Sequence, residues 1–121
     1  MGEAKESTSL DHRKAEGFAR YYANNVYFES NAWDLTIKFG QSDPSQGPNV
    51  IVQHAAVTLP WPQIKVMLYF LQLHFMAYEA DYGRCKVPKG VIPAPPSRAD
   101  SESMFRQFYD DFIAANPEAA P

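Results

Sequence analysis

The chain has 121 residues, 45% of them hydrophobic and 14% aromatic, and its 11 basic and 14 acidic side chains give a formal net charge of -3. That hydrophobic fraction excludes a disordered chain, and the length is that of one domain with one modest core. A slightly acidic balance offers neither phosphate backbones nor anionic lipid a broad attraction, so nucleic acid is disfavoured as a partner.

Residues 1–17 are polar and mixed in charge, end in Gly17, and read as a flexible lead-in. They hold no apolar stretch of the kind a secretory signal needs, and Glu6 stands where a myristoylation motif requires Ser or Thr. From Phe18 the composition changes. The stretch ARYYANNVYFES is rich in aromatic and β-branched residues, and AWDLTIKFGQ alternates with Trp33, Leu35, Ile37 and Phe39 on one face and Asp34, Thr36 and Lys38 on the other. Two antiparallel strands turning at Glu29 to Asn31 are predicted.

The segment QSDPSQGP is a loop, because Asp-Pro and Gly-Pro break any regular pattern. NVIVQHAAVTL then supplies a third strand that is apolar on both faces, with Val50, Val52 and Ala56 on one and Ile51, Ala55, Val57 and Leu59 on the other. Pro60 and Pro62 suit the first turn of a helix that continues to Tyr82, with Gly83 as a left-handed cap. KVPKGVIPAPPSR carries enough proline to be a stiff, extended arm. After it, Asp100 or Ser101 caps a second helix on which Met104, Phe105, Phe108, Tyr109, Phe112 and Ile113 form one apolar stripe.

The fold class expected is therefore α+β: a three-stranded antiparallel sheet packed by one long helix, then a proline-rich arm and a C-terminal amphipathic helix. The boundaries run 1–17 for the lead-in, 18–84 for the β-β-β-α core, 85–99 for the arm, 100–116 for the second helix and 117–121 for a tail.

The long helix raises a question of burial. Ile64, Leu68, Leu71, Phe75, Tyr78 and Tyr82 follow one heptad-like seam, while Val66, Phe70, Leu73 and Ala77 follow another almost opposite it, at about 100° per residue. Both sides need cover, and the apolar run VMLYFLQLHFMAY, interrupted by Gln72 and His74, falls short of the roughly 20 apolar residues that span a bilayer. Self-association supplies that cover. The interface expected is Leu68, Phe70, Leu71, Leu73, Phe75 and Tyr78 of the long helix with Met104, Phe105, Phe108, Tyr109 and Phe112 of the arm, exchanged between subunits as in swapped dimers. The other arrangement left open returns the terminal helix onto its own subunit.

Taken together, YANNVYF, DLTIKFGQ, LPWPQIKVMLYFL and YEADYG resemble a family of small bacterial and archaeal proteins, domain of unknown function 3467, over residues 20–83. Tyr22, Ala23 and Asn24 match its start, Asp34 its acidic position, Phe39, Gly40 and Gln41 its strand end, Lys65 its helix lysine, and Tyr78, Glu79 and Gly83 its helix end. The resemblance implies a β-β-β-α unit and brings no activity or cofactor with it. The apolar helix middle, the proline arm and the further helix depart from the family pattern.

No catalytic constellation is expected. His12, His54 and His74 lack ligand spacing, Cys85 is the only cysteine, and the adjacent Asp110 and Asp111 face different directions. There is no phosphate loop and no nucleophile elbow, so neither a cofactor nor a metal is expected. A single cysteine fits a reducing cytoplasm. The function expected is a non-catalytic homo-oligomeric interaction or scaffold protein. The alternatives are a chaperone- or adaptor-like module whose apolar groove takes an extended peptide, and a small nucleic-acid binder that uses Tyr21, Tyr22, Tyr27 and Phe28 as stacking platforms.

Overall fold

The structure, a computed structural model, describes residues 9–93 and 102–120. It divides into two units, Met1–Lys65 and Val66–Pro121. Three strands, a long helix and a later, shorter helix follow one another as the α+β reading expects.

In the first unit, β1 (Asn25–Ser30), β2 (Asp34–Ser42) and β3 (Ile51–Pro60) form an antiparallel sheet in the order β1-β2-β3. The expected strand boundary at Phe18 moves to Asn25. The aromatic run before it has strand composition but no strand partner, because Asn24 closes the ladder: its N–H donates to the Gly40 carbonyl at 3.1 Å, and its side-chain oxygen accepts from the Ser42 N–H at 3.1 Å. The hairpin turn also lies later than expected. Asn31 directs it, accepting from the N–H groups of Trp33 and Asp34 at 2.8 and 3.0 Å, so the backbone reverses between Asn31 and Asp34. Trp33 consequently leaves the strand face predicted for it and stands 82% exposed.

Paired residues share a face, and here the two faces differ in kind. Register places Val26, Phe28, Leu35, Ile37, Phe39, Ala55, Val57 and Leu59 together. The opposite face is polar, with Lys38 donating to Glu29 at 3.0 Å and the hydroxyls of Thr36 and Thr58 bonded at 2.7 Å. Leu35 and Ile37, at the centre of the apolar face, are buried, as is Ile64 on the first turn of the helix.

β3 does not alternate as its sequence suggests. Phe39 pairs with Ala55 and Gly40 with Gln53, which makes His54 the extra residue of a β-bulge. Upstream of His54 the faces exchange: Val52 joins Ala55, Val57 and Leu59, while Ile51 joins Ala56, which corrects the assignment made from strict alternation. Gly40 lies opposite this bulge. A Cβ there would meet the Val52 carbonyl oxygen at 2.8 Å and the Gln53 Cα at 3.2 Å, both backbone atoms.

α1 (Trp61–Tyr82) follows β3 without a linker. Pro62 occupies its first turn, and the Trp61 indole N–H donates to the Asn31 carbonyl at 2.8 Å, tying the helix start to the hairpin tip. At its end Gly83 adopts φ 92° and donates to the Glu79 carbonyl at 2.9 Å, the left-handed cap that the sequence predicts. In the second unit, α2 (Glu102–Ala115) is the expected second helix, and its candidate caps Asp100 and Ser101 fall outside the described residues, as do residues 94–99 of the arm.

Candidate functional site

Among the described residues no three His, Cys, Asp or Glu side chains gather as metal ligands. One open cavity of about 350 Å³ is lined by Ser42, Asp43 and His54 together with Gln41 and Val52, the residue types of a nucleophile, an acid and a base. They do not act on one another. The Asp43 carboxylate accepts from the Ser45 N–H and hydroxyl, whose side-chain bond holds its pKa below the ordinary value, and the Ser42 N–H is bonded to Asn24. The ring of His54 stacks against Tyr21 at 5.0 Å. The arrangement is a loop closure beside a bulge, without a relay.

What the chain does offer is apolar surface. On α1, Leu68 is 60%, Leu71 55% and Phe75 46% exposed along one seam, and on nearly the opposite side Phe70 is 53% and Leu73 44% exposed. Tyr78 on the first seam and Val66 on the second are exposed as well, as are Tyr69 and Met76. Helices that are apolar all round occur in nature as buried helices. No helix among the described residues is long and apolar enough to cross a membrane. The sheet has a second such surface, for Val26, Phe28 and Val57 at the margins of its apolar face are exposed.

The stripe on α2 divides along its length. Met104, Phe105 and Phe108 in the first half are exposed, while Tyr109, Phe112 and Ile113 in the second half are partly buried. The reason lies just beyond α2, in residues read from the sequence as a tail. Pro117–Ala119 form a 3-10 turn in which Ala119 is fully buried. The Glu118 carboxylate accepts from one guanidinium nitrogen of Arg84 at 2.9 Å and from the Val87 N–H at 3.0 Å. Next to it, the Glu79 carboxylate accepts from the Cys85 N–H at 2.8 Å. The chain end is thus clasped to the segment that follows α1, an arrangement that a 34-residue separation hides from any local pattern.

This clasp is pH-dependent. The Arg84 hydrogen bond first, then the backbone N–H groups of Glu118 and Val87, hold the Glu118 pKa at about 2, against an ordinary 4.5. A carboxyl whose folded pKa is depressed stabilises fully above the unfolded pKa and loses that contribution as pH falls through the folded one. The window is therefore pH 4.5 down to about 2. In the native protein the amide proton shift of Val87 is expected to hold steady from pH 6 down through 4.5 and to move with a midpoint of about 2, and to stay flat in Glu118→Ala. At pH 6 that variant should exchange its Val87 amide several-fold faster, a modest effect because the pair is partly exposed. Native-like protection in the variant would mean that something other than the carboxylate holds the turn.

A family model matches residues 3–87. The chain belongs to that family, described as Protein of unknown function (DUF3467). No curated protein and no solved structure matches it. The residues that carry the resemblance explain themselves in the fold: Asn24 closes the ladder, Asp34 ends the hairpin turn, Gly40 faces the bulge, and Glu79 and Gly83 finish α1. Those are structural duties of a DUF3467 β-β-β-α unit. The family match ends at Val87, so α2 and its clasping turn lie beyond it.

Proposed function

We propose that this DUF3467 protein is a non-catalytic homo-oligomeric scaffold, built by packing α1 of neighbouring chains and completed by α2. The observation that supports this is the exposure of large apolar side chains around the whole circumference of α1. Each such side chain left in water forgoes about 1.5–3 kcal/mol, so several of them together rival the stability of a small domain.

The arm helix has a defined part in this reading. With its C-terminal end clasped through Glu118 to Arg84 of its own chain, α2 offers its first half, Met104, Phe105 and Phe108, to a neighbour. Phe108, 72% exposed, is the anchor of that contact. The lone Cys85, exposed and free, suits a reducing cytoplasm, which is the compartment we assign.

Light scattering coupled to size-exclusion chromatography tests the proposal. The native chain is expected to elute as a discrete oligomer, and Phe108→Asp, which leaves Glu118 and Arg84 in place, as a smaller one. A native monomer at micromolar concentration would overturn it.

A further inference from the structure

The sheet has two edges, and β3 forms one of them. It is the longest strand, ten residues, and contains no charged side chain, with its only proline at the terminus. β1, at the other edge, has six residues and carries Glu29. Charges, interior prolines and bulges are the usual devices that keep a sheet edge from pairing with another chain. β3 has one of them, the bulge at His54, and beyond it the run Ala55–Pro60 is regular, uncharged and exposed over much of its length. Among the described residues nothing hydrogen-bonds to the outer side of this run.

We infer that Ala55–Leu59 is a second assembly surface, on which the same segment of another copy of this chain pairs antiparallel about a two-fold axis near Val57. Antiparallel pairing of one segment with itself is isologous, so a single strand supplies both halves of the contact. A second copy brings no charge against the edge, because the segment contains none. The bulge favours this segment for the pairing, since at His54 the backbone register shifts and a regular ladder is locally interrupted. With the axis perpendicular to the sheet, the apolar faces of both copies lie on the same side, and the exposed Val57 of each chain comes to rest against its counterpart. This surface is separate from α1, although it too makes the protein an oligomer.

Single cysteines at Ala55, Val57, Thr58 and Leu59, each in a Cys85→Ser background, read the register. Across the axis, Cα atoms of a central pair lie about 4.5–5.5 Å apart, within disulfide reach, while a cysteine at 55 would face the partner's residue 59 and stand about 13 Å from its own copy. Val57→Cys is therefore expected to form an interchain disulfide under mild oxidation, and Thr58→Cys, whose copy stands about 8 Å away with residue 56 of the other chain opposite it, to form it much more slowly. Ala55→Cys alone should form it at least about tenfold more slowly, but should cross-link in a mixture with Leu59→Cys. Amide exchange of the native chain gives a second readout: neighbouring amides from Ala55 to Leu59 should be equally protected, whereas an unpaired edge leaves every other one fast. An oligomer with alternating protection and no central cross-link overturns this inference and leaves assembly through α1 standing. Cross-linking at every position would mean parallel pairing and overturns it too. A monomer by light scattering sinks both proposals.

Discussion

Phe75→Asp is expected to dissociate the protein while leaving its secondary structure intact. Phe75 lies in the middle of the Leu68, Leu71, Phe75, Tyr78 seam and is about half exposed in the single chain, so the substitution takes little from the fold of that chain. In a symmetric helix contact the residue occurs once on each side. Losing about 1.5–3 kcal/mol of burial per copy, before any cost of covering a carboxylate, weakens a dimer by at least a hundredfold or so. Sedimentation at micromolar concentration, with circular dichroism recorded on the same samples, measures both halves of the expectation. Helix content and mass falling together would show that α1 folds only when covered, as in many obligate dimers. An unchanged mass would move the interface away from this seam.

The second large effect is expected at Gly40. Its φ is not in the left-handed region, and the constraint is proximity: the backbone of β3 crosses so near at the bulge that a Cβ would sit 2.8 Å from the Val52 carbonyl oxygen. A flexible side chain could step aside, but a backbone carbonyl in a ladder cannot. Gly40→Ala should therefore cost about 1–3 kcal/mol, the usual range for forcing extra volume into a closed site, and Gly40→Val more. For a unit of this size each kcal/mol lowers the melting temperature by about 4–8 °C, which calorimetry at fixed protein concentration resolves. A Gly40→Ala protein that melts like the native one would mean that the bulge relaxes without penalty.

How much of this was legible in the sequence depends on the distance over which each feature is determined. The alternation of Leu35, Ile37 and Phe39 against Thr36 and Lys38 marks a half-buried strand, and Pro62 with Gly83 brackets α1, because these signals are local and strong. The bulge escaped notice. One inserted residue at His54 leaves hydropathy almost unchanged while exchanging the faces of everything before it, and the only trace it leaves is a glycine on the neighbouring strand. The hairpin turn slipped by two residues for a related reason: Asn31 is the residue whose side chain makes the turn, while the strand propensity of the residues around it placed the reversal earlier. The apolar side chains of α1 were legible as heptad-like spacing and those of α2 as one stripe, but not that the second half of that stripe is partly buried. The clasp between Glu118 and Arg84 was not, since a charged pair so far apart in sequence has no periodicity to betray it.

The order of the strands has a kinetic consequence. A meander in which β1 pairs only with β2 and β2 only with β3 closes short loops, so the sheet can form within one chain quickly and independently of protein concentration. On the proposed assembly, covering α1 is an encounter between chains and scales with their number. Refolding should then split into an early unimolecular phase and a later one whose rate rises with dilution reversed, and the span between them is the time during which a newly made chain carries its apolar helix uncovered.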